Sequence, residues 1–322
     1  MEDVIEPTAA KLRRERSLSL EAAFIVMVAL FIVGPFVLYP VFLMKALCFA
    51  LFACAFNLLI GYVGLASFGH ALFFGWASYL TAYAAKTWGA SPELAILAGV
   101  AVAALLGVVV GGLAIRRQGI YFAMITLALS QMMYFFALEA KFTGGEDGIQ
   151  GVPRGRLFGV FNLSNEMTMY AIVLVVVVAG FLLVYRIINS PFGEVLKAIR
   201  ENEQRAISLG YRTERYKLVA FVLSATLAGL AGSLKALVFQ LASLTDVHWT
   251  MSGDVLLMTL LGGLGTVFGP VVGAFAVVAM QNYLAPFGQW VLVIQGAIFV
   301  VCVLAFRRGI VGELARVLRV PL

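Results

Sequence analysis

An all-α, polytopic bundle of transmembrane helices is the fold class this chain predicts, and three observations carry it. Of its 322 residues, 62% are hydrophobic and 12% charged, with a mean hydropathy of +0.98. A soluble domain carries about a quarter charged residues. The apolar residues come in long continuous runs, which excludes β-barrel strands with their alternating pattern. The basic residues sort to one side of those runs, as the positive-inside rule requires.

A helical crossing takes about 20 apolar residues to span about 30 Å of hydrocarbon. Ten runs qualify: about 22–40, 43–60, 70–85, 93–115, 119–140, 168–188, 216–235, 253–264, 270–285 and 289–306. Glycines interrupt the third and eighth, so their boundaries are soft. Residues 1–21 are polar and basic, and the run that follows is too long for the apolar region of a signal peptide. They read as a cytoplasmic segment, 22–306 as the membrane domain and 307–322 as a cytoplasmic tail. With the N-terminus inside, ten crossings place seventeen basic residues in the cytoplasm: Lys11, Arg13, Arg14, Arg16, Arg116, Arg117, Arg186, Lys197, Arg200, Arg205, Arg212, Arg215, Lys217, Arg307, Arg308, Arg316 and Arg319. Only Lys86, Lys141, Arg154 and Arg156 fall outside. The net charge of +6 therefore encodes topology rather than nucleic-acid binding, and both termini are expected in the cytoplasm.

Three elements interrupt the apolar runs. The first is a glycine-rich break after the second run, Gly61-Tyr-Val-Gly64-Leu-Ala-Ser67-Phe-Gly69-His70. A second break, Leu261-Gly262-Gly263-Leu-Gly265-Thr-Val-Phe-Gly269-Pro270, separates the eighth and ninth runs and repeats the Gly-Leu…Phe-Gly pattern with one residue more. Such breaks serve close helix packing or tight turns, or they mark binding and gating elements on a translocation path. The third element is the polar stretch from Ser190 to Lys217. Ser190 and Pro191 open it with helix-start chemistry and Gly210 closes it. Phe192, Val195, Leu196, Ile199 and Ala206 recur at helical spacing along one face. A long amphipathic helix between two spans suggests a coupling element, over about 190–215, gripped by a soluble motor. Its charged surface is Glu194, Lys197, Arg200, Glu201, Glu203 and Arg205, and Ala198, Ala206 and Gly210 would permit close approach and end the helix.

Enzyme chemistry is missing from the sequence. No phosphate-binding GxxxxGK[ST] loop occurs, so ATP is not hydrolysed here by that mechanism. The loop at 141–167 sets Glu146 and Asp147 among glycines without EF-hand spacing, and reads as a structured docking or pore-capping loop. His70 and His248 lie too far apart for a metal motif. His70 suits packing or a polar passage, and His248 beside Trp249 an interfacial anchor. Cys48, Cys54 and Cys302 read as small buried hydrophobes. Lys45, Glu139, Lys235 and Asp254 fall near span ends, where long side chains snorkel, so no intramembrane proton relay is expected. Pathway polarity would come from uncharged groups such as Ser67, Ser130, Gln131, Ser224 and Gln281. These features disfavour a self-sufficient secondary transporter.

Four motifs in this order resemble the LivM-type permeases of branched-chain amino acid ABC importers: Gly64 to Gly75, Thr143 to Arg154, Gly193 to Leu218, and Gly262 to Pro270. The resemblance spans about 45–306. It implies a bacterial inner-membrane subunit paired with a LivH-type permease, two cytoplasmic ATPase subunits that bind the ATP, and an extracytoplasmic solute-binding protein. The permease itself would hold no cofactor and no metal. It further implies that the ATPases grip the 191–210 helix and that leucine, isoleucine and valine are carried, with urea, short amides or aromatic acids as the alternative cargo.

Overall fold

The computed structural model describes residues 21–288, 290–305 and 309–318. The basic N-terminal segment with Lys11, Arg13, Arg14 and Arg16, and Arg307, Arg308 and Arg319 of the tail, lie outside the described residues. The chain is mostly helical, with four two-residue strands among the described residues. A helix lies at each of the ten apolar runs. They are α1 (Glu21–Phe36), α2 (Pro40–Tyr62), α3 (His70–Lys86), α4 (Pro92–Ala114), α5 (Ile120–Glu139), α6 (Glu166–Ile188), α9 (Thr213–Phe239), α10 (Trp249–Gly262), α11 (Gly269–Leu284) and α12 (Trp290–Ala305). Six of these, α2, α4, α5, α6, α9 and α11 with its short extension, are long and apolar enough to cross a membrane. At 17 and 14 residues, α3 and α10 are shorter: non-helical backbone at 63–69 precedes α3, and the turn at 263–268 ends α10.

The starts follow local chemistry. Proline occupies the first turn of α2, α4 and α11, where its missing N–H costs nothing. Asn165 caps α6 by accepting from the Met167 N–H at 3.0 Å.

The centre of the bundle is α2, α3 and α9, with α4 and α6 packed outside them and α10 and α11 leaning on α2. In lipid the hydrophobic effect does not drive helices together, so close packing of small residues must. A side chain at Gly232 of α9 would overlap the Phe74 backbone of α3. One at Gly99 of α4 would meet the hydroxyls of Thr81 and Ser233 and the Ala77 carbonyl. The Thr81 hydroxyl lies 3.2 Å from the Ala95 carbonyl, to which it donates, and 2.9 Å from the Ser233 hydroxyl, which joins the three helices.

The bundle ends are distinct. At one, the strands β1 (Ile149–Gln150) and β4 (Leu241–Ala242) pair antiparallel, Lys86 donates to the Gln150 carbonyl at 2.7 Å, and Arg154 donates to the carbonyls of Leu237 and Val238. The 141–167 loop is thus structured; within it β2 (Arg156–Leu157) pairs with β3 (Phe161–Asn162). The other end holds the turns at 63–69, 115–119, 189–212 and 263–268.

Two expectations are corrected. The polar stretch is not one helix: it divides into α7 (Pro191–Glu201) and α8 (Glu203–Ser208). Asn202 adopts extended backbone, and its side chain accepts from the Arg205 N–H at 3.0 Å. The polar amide competes with the helix for that backbone and starts a second one. Lys235 does not snorkel. It is buried at 8% exposure and pairs with Asp246 at 2.5 Å. That pair pins a segment between α9 and α10 whose Val247 lies against Gly75 of α3.

Candidate functional site

The two glycine breaks, some 200 residues apart in sequence, meet at one point. Asn57, buried one turn before the end of α2, makes the first link. Its amide donates to the Thr266 carbonyl at 2.9 Å and accepts from the Gly265 N–H at 3.0 Å. Both groups of the amide are used, which fixes the 263–268 turn to α2. Thr266 closes that turn from within, donating to the Gly263 carbonyl at 2.8 Å and accepting from the Gly269 N–H at 3.1 Å. Gly263, at φ +124, takes a conformation that side chains resist. The turn also receives Gly309, at the head of the terminal helix α13 (Gly309–Leu318), which lies on the backbone of Gly262 and Gly263.

Arg200, near the end of α7, completes the junction. Its guanidinium donates to the Gly61 carbonyl. A side chain at Gly265 would stand 3.2 Å from its Nη1, and one at Gly64 would stand 3.2 Å from its Cγ. One arginine therefore touches both breaks. A charge-assisted bond is about twice as strong as a neutral one, and this one ties α7 to the end of α2 beside the α10–α11 turn.

The rest of the 190–217 stretch divides into inward and outward residues. Ser190 accepts from the Gly193 N–H at 3.3 Å and caps α7. Glu203 faces the bundle: it pairs with buried Lys217 at 2.5 Å and accepts from Thr213 at 3.0 Å and Gln118 at 2.8 Å. Ala206 is buried as well. Expected on the motor-facing charged surface, Glu203 instead holds α8 against the start of α9. Glu194, Lys197, Ala198, Glu201 and Arg205 point outward. Lys197 pairs with Glu194 at 2.8 Å on that open face, where an ion pair contributes little. Gly210, at φ +88, ends α8. Beside Ala198, Pro191, Phe192, Glu194, Leu209 and Tyr216 line an open groove of about 900 Å³. Phe192 and Tyr216 stack across its floor, with ring centroids 5.6 Å apart.

The first break extends into the bundle. Residues 63–69 are not helical, and Ser67 and Thr126 satisfy part of their backbone: the Gly69 N–H donates to Ser67 and the Phe68 N–H to Thr126, each at 3.2 Å. His70 opens α3 fully buried. Its Nε2 lies 2.8 Å from the Ser224 hydroxyl, which donates to the Ala55 carbonyl. Ala55 precedes Tyr62 by seven residues, about 10 Å along the helix, so α3 begins well inside the bundle. Phe56, Phe73 and Phe221 meet the His70 ring edge-on. Among the described residues its Nδ1 has no partner, and neither do Ser130 Oγ and Gln131 Oε1. The Ala71 N–H donates to Ser252 of α10 at 2.9 Å, so the two short helices meet. His248 caps α10, accepting from the Thr250 N–H at 3.4 Å. Gln281 donates to Asp254 at 3.4 Å. Among the described residues, no three of His, Cys, Asp and Glu come together as a metal site.

At Gly69 an added Cβ would stand 2.9 Å from the Thr126 carbonyl. Gly69→Leu is expected to cost about 1–3 kcal/mol through overpacking and to impair uptake by membranes holding normal amounts of the chain. Uptake at the wild-type rate would reduce this glycine to a spacer.

Sequence reasoning missed Asn57, Gln118 and the pairing of Lys235 with Asp246. A lone amide within an apolar run was the available signal for Asn57, since a buried polar group needs partners.

Comparison with known proteins shows the family. The model of the branched-chain amino acid transport system / permease component family matches residues 40–303. The high-affinity branched-chain amino acid transport permease LivM of Escherichia coli is 27% identical over 282 residues, which cover 79% of this chain and 65% of that protein. The chain thus spans just under two thirds of the length of that relative. A probable LivM of Methanocaldococcus jannaschii is 28% identical over 58% of the chain and 55% of its own length. The autoinducer 2 import permease LsrC of Salmonella typhimurium is 27% identical over 50% of the chain and 47% of its own length. No solved structure matches. These relatives are transport permeases and not enzymes, and with its LivM-type motifs and helices long enough to cross a membrane, this multi-pass chain belongs to the branched-chain amino acid transport permease family.

Proposed function

We propose that the chain is the membrane-spanning permease subunit of an ATP-driven importer in the bacterial inner membrane. It crosses ten times with both termini in the cytoplasm, and it works beside a LivH-type permease, two ATPase subunits and an extracytoplasmic binding protein. The single observation that carries this reading is Arg200, which joins the polar helix α7 to both glycine breaks. The sorting of loops between the two bundle ends supports ten crossings, since α3 and α10 then complete the alternation. ATP-driven closure of the motor subunits would push on the outward residues of α7 and on the Phe192–Tyr216 groove. Arg200 passes that movement to the inner ends of α2, α10 and α11, where the passage opens or closes. The solute is delivered by the binding protein, and the names of the relatives support leucine, isoleucine and valine; urea, short amides and aromatic acids are the alternative cargo.

Isolation of the tagged chain from its native membrane in mild detergent tests the assembly. Recovery of a second permease and Walker-motif ATPases is the expected result. Recovery of the chain alone, while a control importer stays intact in the same detergent, would sink the proposal. Competition of labelled leucine uptake by valine, urea and benzoate then separates the cargo classes.

A further inference from the structure

A second groove flanks α8, with a volume of about 420 Å³. Two stretches distant in sequence wall it: the turn after α4, and helix α8 with the start of α9 that follows it. Arg116, Arg212 and Arg215 converge on it, and Arg117 lies next to Arg116 in the same turn. All four are exposed. Among the described residues, no salt bridge engages any of them. Of the two carboxylates in the wall, Glu203 is committed to Lys217, which leaves Glu214 alone against the three arginines. Two residues beyond Gln118, α5 begins with Ile120 and Tyr121, 71% and 68% exposed.

Charges that only set topology need to flank a span; they need not gather from separate segments into one concavity. A concave cluster of guanidinium groups fits phosphate oxygens, and basic pockets at the cytoplasmic ends of spanning helices bind anionic headgroups. The exposed apolar start of α5 gives acyl chains a surface immediately beside the charges. We infer that this groove holds the headgroup of an anionic phospholipid. The bound lipid would tie the α4–α5 turn to the α8–α9 corner, the corner that Glu203 also holds, and so brace the element that carries motor movement. The inference rests on the orientation proposed above, but its test reads residues rather than leaflets and can fail separately from the importer reading.

The full chain in mild detergent, examined by native mass spectrometry, is expected to retain dioleoyl-phosphatidylglycerol over dioleoyl-phosphatidylcholine. At about 1 kcal/mol for each arginine, the double variant Arg116→Gln/Arg215→Gln should weaken phosphatidylglycerol binding about thirtyfold. Phosphatidylcholine binding should stay unchanged. Photoreactive phosphatidylglycerol on the wild-type chain, a measurement independent of the variant's folding, should label peptides spanning 115–121 and 203–217. Equal retention of the two lipids would overturn the inference, as would an unchanged preference in the double variant or labels spread evenly around the bundle. Arginine-dependent binding of inorganic phosphate with no gain from acyl chains would also overturn it. So would crosslinks from these arginines to an acidic ATPase surface without any lipid adduct.

Discussion

Arg200→Ala is expected to abolish coupled uptake while leaving the chain inserted and its partner ATPases bound and hydrolysing. The outward residues of α7 remain, so the motor keeps its grip. What disappears is the side chain by which α7 reaches Gly61, Gly64 and Gly265. A hydrogen bond from a charged donor contributes about 1.5–3 kcal/mol, equivalent to about 10- to 100-fold in the coupling between α7 and the two breaks. Arg200→Lys should fall between, because a lysine carries the charge on a single ammonium without the guanidinium fork. Charge reversal at Glu201, on the outward face, should also abolish uptake, but through loss of ATPase binding. Uptake and ATP hydrolysis measured together in proteoliposomes separate the cases. Normal uptake by Arg200→Ala would remove this arginine from the pathway of movement.

The architecture was legible where the signal is local. Long apolar runs gave each spanning helix, Ser190 and Pro191 gave the start of α7, and glycines gave the breaks. The likeness of the two breaks was visible as a repeated Gly-Leu…Phe-Gly pattern, and their meeting was not, because Asn57 and Arg200 join segments more than a hundred residues apart. Asn202 shows a different limit. It lies within a run of helix-favouring residues, and whether its side chain faces solvent or caps a new helix depends on where α9 allows α8 to sit. Glu203 reads as a surface charge by spacing alone. Its inward turn follows from Lys217, a cation buried at the start of α9 that needs a partner there.

Hydropathy also placed Lys235 at a span end, where an ammonium escapes to water. The loop after α9 instead folds inward and brings Asp246 to it. Removing one member of such a pair strands the other charge in an apolar interior, at a cost of about 3–5 kcal/mol. Asp246→Ala is therefore expected to lower thermal stability sharply in detergent and to reduce the folded yield. Asp246 also accepts from the Ser243 N–H at 3.2 Å, so the same change loosens the turn that sets Val247 against Gly75 and leads into α10. Lys235→Met alone should be milder, since the remaining carboxylate keeps that N–H. The double variant Lys235→Met/Asp246→Leu should be more stable than Asp246→Ala, because no unpaired charge remains buried. A double variant no more stable than Asp246→Ala would mean that the turn, and not the charge pair, carries the stability. The segment before α10 would then be held by backbone geometry alone.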